Sequence, residues 1–263
     1  MKFRLIIPTL ALLLGLSGAK AEGYSLTLSN DIPITMVAAF TSGFGSYLYS
    51  RMEVPDHVRN QDFLLPWDRK FAGRYSESAD FLSDVGSLLA VAPFVVGGTA
   101  LYSGSSDLKE FGTFSLMLVQ AALFQSGINL AFRSIELWPR PFVYSLSGDG
   151  KKMAEKAKGE AYGSFFSGHS SAAFTVAVFT SEWFAQTHPS SANTGVVRAL
   201  AFSLAGLEGA LRIAAGKHYP TDVVVGALVG TAVSYGVLVL HKNQGEKVSL
   251  WAAPNAAGLT FSF

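Results

Sequence analysis

Apolar residues gather along the chain in six runs of helix length: Asp31–Ser50, Val85–Tyr102, Phe111–Phe132, Ser170–Gln186, Val196–Ala215 and Asp222–Leu240. The first, DIPITMVAAFTSGFGSYLYS, is diluted by Ser, Thr and Gly. The third carries Gln120, Gln125 and Asn129 inside it. The last holds Asp222 as its only charge and is the best membrane span by length. Others contain Glu182, Arg198 or Glu208, so hydropathy leaves them between membrane spans and buried core helices. Two polar stretches divide the runs, Arg51–Asp84 and Arg133–Gly168, the second with Lys151, Lys152, Lys156 and Lys158 in its middle. Turn residues at Ser103–Asp107 and Gly216–Thr221 punctuate the remainder. At the end, Val248–Trp251 and Leu259–Phe263 alternate around Pro-Asn-Ala-Ala-Gly, the pattern of a β-hairpin. The expected fold is a single all-α bundle with a short C-terminal β-hairpin.

Composition sharpens this picture. Of 263 residues, 49% are hydrophobic and 15% charged, and mean hydropathy is +0.32. The charged share lies well below the roughly one quarter usual for soluble domains, which points to a membrane-embedded or unusually apolar helical protein. A formal net charge of +1 offers no basic surface for nucleic acid. The chain has no cysteine, so disulfides, thiolate catalysis and Cys-ligated metals are excluded. At the N-terminus a basic Met1-Lys2-Phe3-Arg4 precedes the apolar Leu5–Leu16 and Ala19-Lys20-Ala21. That is the pattern of a secretory signal peptide over residues 1–21, with an uncleaved anchor as the alternative.

Three clusters could carry chemistry. Five histidines occur, and His57, His188 and His241 sit where solvated surface residues are expected. His218 differs, because it lies in Arg212-Ile-Ala-Ala-Gly-Lys-His218-Tyr-Pro-Thr-Asp222, the turn between the last two apolar runs. Asp222 could simply cap the following helix. It could also accept the Nδ1 proton of His218 and leave Nε2 as a nucleophile in a fixed tautomer. His169 follows Ser167-Gly168 at the start of another run, where free backbone N–H groups favour an oxyanion. A histidine there could protonate a leaving oxygen; an ordinary helix cap is the plainer alternative. Arg133 and Arg140 stand seven apart after the third run, and two guanidinium forks can hold several phosphoryl oxygens. If successive helices alternate in direction, all three clusters face one end of one bundle.

The ordered set Arg-x6-Arg-Pro, Ser-Gly-His and Arg-x5-His-x3-Asp resembles the type 2 phosphatidic acid phosphatase (PAP2) superfamily, which includes bacterial acid phosphatases and vanadium haloperoxidases. The resemblance covers roughly Leu82–Leu240. It implies a PAP2-like helical bundle at residues 82–241, after an N-terminal helix and polar connection at 22–81 and before a tail at 242–263. It implies that Arg133, Arg140, Ser167, Gly168 and Arg212 bind phosphate. His218 would be the nucleophile, Asp222 its orienting partner and His169 the general acid, with no metal or other cofactor. Arg133 stands where the family usually has lysine, Phe166 where proline is common, and Leu211 where serine is common.

The function this implies is hydrolysis of a lipid phosphate monoester or pyrophosphate through a phosphohistidine. The alternatives are a non-specific periplasmic acid phosphatase, a vanadate haloperoxidase and a non-catalytic membrane protein. The expected location is exported and periplasm-facing, at the inner membrane or associated with it, with the outer membrane as a further option. Three spanning runs before Arg133 would instead place the site on the cytoplasmic side. A periplasmic site therefore needs one early run not to span, and Asp31–Ser50 is the weakest.

Overall fold

The computed structural model describes residues 20–21, 23–53, 55, 57–135, 138–146, 148–242, 248–253 and 256–261. Most of the expected signal peptide lies outside these residues. The described chain is mainly helical. In order come α1 (Leu28–Ser50), α2 (Pro66–Arg69), α3 (Glu77–Gly86), α4 (Ala92–Tyr102), α5 (Leu108–Ile135), α6 (Gly148–Ala157), α7 (Gly168–Thr187), α8 (Thr194–Ala214) and α9 (Pro220–His241). Two small antiparallel ribbons flank the helices: β1 (Lys20–Ala21) with β2 (Tyr24–Ser25), and β3 (Val248–Ala253) with β4 (Ala256–Phe261). The second ribbon is the expected C-terminal hairpin, registered from Val248 opposite Phe261 to Ala253 opposite Ala256.

Two polar stretches hold helices that the hydrophobic pattern did not show. Arg51–Asp84 contains α2 and most of α3, and the lysine-rich loop contains α6. The run Val85–Tyr102 is divided, because α3 ends at Gly86 and a 3-10 turn over Ser87–Val91 leads into α4. Local chemistry accounts for several boundaries. Asp107 and Glu110 form a reciprocal capping pair at α5, with Glu110 N–H donating to Asp107 Oδ1 at 2.8 Å and Asp107 N–H to Glu110 Oε2 at 3.3 Å. Gly216, at φ +69°, terminates α8 in the left-handed region, where a side chain would also collide with the Arg74 carbonyl.

Helix α7 is central and packs against α4, α5, α8 and α9, while α1 lies along α5. Phe114, Met117 and Leu118 of α5, Phe179 and Trp183 of α7, and Val237 and Leu238 of α9 form the main apolar core. Helix α1 runs parallel to α5 over its whole length. Gln120 donates to Thr35 at 3.0 Å, Ser42 and Ser126 approach to 3.4 Å, Gly45 abuts Gly127, and Arg133 donates to the Tyr49 hydroxyl at 2.7 Å. The near-constant sequence offset between partners establishes the direction. Asp31–Ser50, the weakest apolar run, is thus a full helix coextensive with α5.

At the other end of the bundle, His241 Nε2 lies 2.8 Å from Asp31 Oδ1, with both side chains 1% exposed. The second Asp31 oxygen accepts the Thr27 N–H at 2.6 Å, and His241 Nδ1 lies 2.7 Å from the Val237 carbonyl. His241, expected at the surface, is therefore a buried link between the start of α1 and the end of α9. Its partner is 210 positions away, which no local pattern reveals.

Helices α5 and α9 are long and apolar enough to cross a membrane. Only 28% of the most apolar window of α9 is buried, so most of that window faces outward, apart from the core residues near its end. Exposed apolar side chains also line α1 (Met36, Phe40), α4 (Phe94, Val95), α8 (Leu200, Leu204) and α9 (Val224, Leu228). Apolar exposure on several helix faces supports association with a membrane. Removal of either member of the Asp31–His241 pair, as Asp31→Ala or His241→Ala, should cost about 3–5 kcal/mol by leaving a buried polar group unpaired. The check is thermal unfolding in detergent, where unchanged midpoints in both variants would contradict a structural role for the pair.

Candidate active site

The end of the bundle opposite Asp31 gathers the ends of α5 and α8 and the starts of α7 and α9. The loop between α5 and α7 is fastened there from both sides. Arg140 N–H donates to the Ala161 carbonyl at 2.8 Å and Ser164 N–H to the Trp138 carbonyl at 3.0 Å. Phe142 N–H reaches the Gly216 carbonyl at 3.2 Å. The Arg140 segment, the entry to α7 and the α8–α9 turn are consequently positioned as one unit.

His218 lies in that turn and is 2% exposed. Its Nδ1 is 3.5 Å from Asp222 Oδ2, beyond a normal N–H···O bond, and has no hydrogen-bond partner among the described residues. The expected His218–Asp222 bond is thus an approach, not a formed bond. Catalytic hydrogen bonds are often long before substrate binds. Asp222 Oδ2 instead accepts two other donors, the Ser164 hydroxyl at 2.6 Å and the Tyr219 N–H at 2.9 Å. The carboxylate therefore serves as helix cap and histidine neighbour together. The start of α9 is braced from outside by Asp68, whose Oδ1 accepts the Thr221 N–H at 3.1 Å.

At the start of α7, the Ser167 hydroxyl accepts the Ser170 N–H at 3.3 Å as the helix cap. Ser167 N–H donates to the Asp222 carbonyl at 3.0 Å, and the Ser167 carbonyl sits against Gly226. Asn129, within α5, donates to the Phe166 carbonyl at 2.6 Å, and its side chain leaves no room for a Cβ at Gly168. Phe166 is buried, with its ring 5.9 Å from that of Phe132. This packing gives an apolar residue a place where proline is common. His169 and Gly168 line a cavity of about 300 Å³.

The arginines are held differently. Arg133 Nε donates to the Gly163 carbonyl at 2.8 Å, its guanidinium reaches the Tyr49 hydroxyl, and it lies 4.5 Å from the centre of the Tyr49 ring. Arg212 donates to Ser83 at 2.8 Å and to Asp84 at 3.2 Å, and lies 3.7 Å from Asp80. Lys217 pairs with Asp80 at 2.9 Å. Helix α3 thus supplies the acidic counterweight to two site cations. Arg140 is buried, and its Nε has no hydrogen-bond partner among the described residues.

The charged groups act on one another. Burial, then the neighbouring Arg133 and Arg212, brings the Arg140 pKa down to about 9. Burial, then Arg140, Arg212, Arg133 and His169, holds His218 well below the ordinary histidine value. Lys217 is also lowered, by burial first, although its bond to Asp80 acts against this. Such crowding of cations around two imidazoles is the field expected where an anion binds.

The structure brings together Arg133, Arg140, Ser167, Gly168, His169, Arg212, His218 and Asp222. Sequence reasoning missed Ser164, Asn129, Lys217 and the α3 acids Asp80 and Asp84. Ser164 lies three residues before Ser167, within GSFFSGHSS. The others had no local signal, because their partners are distant in sequence.

A family model described as the PAP2 superfamily matches residues 113–246, just over half of the chain. The chain belongs to the PAP2 superfamily and is by class a phosphatase, a phosphoric ester hydrolase. A solved structure titled as the first transmembrane PAP2 type phosphatidylglycerolphosphate phosphatase, from Bacillus subtilis, is similar at 16% identity and a TM-score of 0.44. That alignment covers 89% of this chain and 92% of that chain. Among curated proteins no significant match is found.

Ser164→Ala removes a hydrogen bond to the carboxylate next to His218. Such a bond is worth about 1.5–3 kcal/mol, so kcat should fall about 10- to 100-fold while KM changes little. Steady-state kinetics on a phosphomonoester test this, and an unchanged kcat would remove Ser164 from the site.

Proposed function

We propose that the chain hydrolyses a lipid phosphate monoester or pyrophosphate through a phosphohistidine formed on His218. The observation that carries this reading is that Arg133, Arg140 and Arg212 act on the buried His218 and the half-buried His169 at a helix N-terminus. In the first step the Nε2 lone pair of His218 forms the P–N bond as the bond from phosphorus to the leaving oxygen breaks. His169 gives its proton to that oxygen, and the alcohol departs. His169 then takes a proton from water, the water oxygen attacks phosphorus, the P–N bond breaks and inorganic phosphate is released. Asp222 keeps the Nδ1 proton in place and offsets the charge that develops on the ring. Arg133, Arg140 and Arg212, with Ser167 and Gly168, hold the equatorial oxygens, and their charge takes the part that metal ions play in other phosphoryl transfers.

The lipid substrate is supported by what adjoins the site. Gly86 and Glu208 line both the His169 cavity and an apolar groove of about 790 Å³ between α3, α4 and α8, with Leu82, Val95, Leu204 and Leu207 among its walls. A tail lying there would leave its phosphate beside the arginines. The location follows from the helix directions. Tyr24 and Asp31 are at one end of the bundle and the site at the other, so a spanning bundle puts them on opposite faces of the membrane. If residue 23 is exported, the site of a spanning bundle faces the cytoplasm. The periplasm-facing site expected from the sequence would need the bundle to rest on a membrane instead.

Phosphate release from lipid phosphates should proceed without added metal and be lost in His169→Ala and in His218→Ala. Retained turnover in either variant would sink the mechanism. Because the field holds His218 well below the ordinary histidine value, the nucleophile stays neutral on acidification. The His218 limb of kcat/KM should therefore show no loss between about pH 6.5, the ordinary histidine value, and pH 5. A tenfold loss per unit beginning near pH 6.5 would contradict that assignment. The chain lacks cysteine, so single cysteines at Ser29 and Lys152 can be labelled cleanly with an impermeant thiol reagent. Labelling from opposite sides is expected, and labelling of both from one side would show that the bundle does not span.

A further inference from the structure

One buried group near the site has no part in the mechanism above. Glu208, one turn before Arg212 on α8, is 2% exposed. Neither carboxyl oxygen has a hydrogen-bond partner among the described residues. The nearby Arg212 makes no hydrogen bond to it, because Arg212 Nη1 is bonded to Ser83 and Asp84 and its Nε has no hydrogen-bond partner among the described residues. Its carboxyl lies against Gly86, where any side chain would collide with it.

The position of Glu208 is informative. It lines the same cavity as Gly168 and His169, and it also lines the apolar groove that begins at Gly86. It therefore stands at the junction between the phosphate end and the tail end. In a lipid phosphate that junction is occupied by the alcohol that leaves with the tail. A buried, unbonded carboxyl beside that space is costly unless the ligand supplies a partner. A hydroxyl suits it in either protonation state, as donor to a carboxylate or acceptor from a carboxylic acid. An ammonium group is disfavoured there by the repulsion of Arg212.

We propose that Glu208 is a specificity-determining residue that bonds a free hydroxyl on the leaving alcohol, next to the scissile ester. This rests on the phosphatase reading. It divides the candidate substrates, because polyol and sugar phosphate lipids carry such a hydroxyl, whereas phosphatidic acid and isoprenyl phosphates do not.

The test compares kcat/KM for phosphatidylglycerophosphate and phosphatidic acid of identical acyl chains, in mixed micelles, for the full chain and for Glu208→Leu, Glu208→Ala and Glu208→Gln. The unaltered enzyme should favour the hydroxyl-bearing lipid by at least about tenfold. Leu and Ala should erase that preference, and Gln, which can still bond a hydroxyl, should keep part of it. Two apolar variants guard against one failing to fold. Equal losses on both lipids, or no preference in the unaltered enzyme, would overturn the proposal. Failure of the unaltered enzyme to release phosphate from either lipid would count against the phosphatase reading itself.

Discussion

The concentration of positive charge buried at one end of the bundle is the constraint on which the rest depends. Arg133, Arg140, Arg212 and Lys217 share a small volume with two imidazoles, and the start of α7 adds the positive end of a helix dipole. Without an anion such an arrangement repels itself. Three features offset it. Arg133 and Arg212 sit in the last turns of α5 and α8, where the dipole is negative. Asp80 and Asp84 face Arg212 and Lys217. Arg133 is held over the Tyr49 ring. Burial first, and then the residual repulsion of the neighbouring cations, depress the pKa values of Arg140 and His218.

Holding those charges in place requires a rigid frame, and close helix contacts provide one. Gly226 and Gly230 of α9 meet the backbone of Ser167 and Ser171, so the start of α7 cannot drift from the start of α9. Gly45 and Gly127 bring α1 against α5, which presents Tyr49 to Arg133. The far end is tied by Asp31 and His241, away from the chemistry. The two ends differ: Asp31 and His241 are bonded to each other at one, whereas Arg140 Nε, His218 Nδ1 and the Glu208 carboxyl have no hydrogen-bond partner among the described residues at the other, the end that the proposed function assigns to an anion. Glu208 belongs to that unsatisfied end.

What the sequence revealed follows from which interactions are local. The apolar runs that became α4, α5, α7, α8 and α9 were visible as runs, and the alternating tail as a hairpin, because each pattern is written into neighbouring residues. His169, His218, Asp222 and the arginines stood out because their spacing matches a superfamily pattern. Helix α3 was hidden in a polar stretch, since Asp80 and Asp84 read as solvated charges until Arg212 and Lys217 are placed beside them. His241 looked like a surface residue for the same reason, with Asp31 at the opposite end of the chain. The His218–Asp222 relation was legible as proximity, but the donors that occupy Asp222, Ser164 and the Tyr219 N–H, required the fold.

The covalent role of His218 is the claim from which the functions of the surrounding groups follow. Rapid quenching of the enzyme during turnover of a phosphate-labelled lipid, followed by peptide mapping, addresses it directly. The account predicts an acid-labile, alkali-stable label on the peptide that contains His218, absent from His218→Ala. Turnover with no protein-bound label under conditions that trap such intermediates, or a label on another residue, would contradict it.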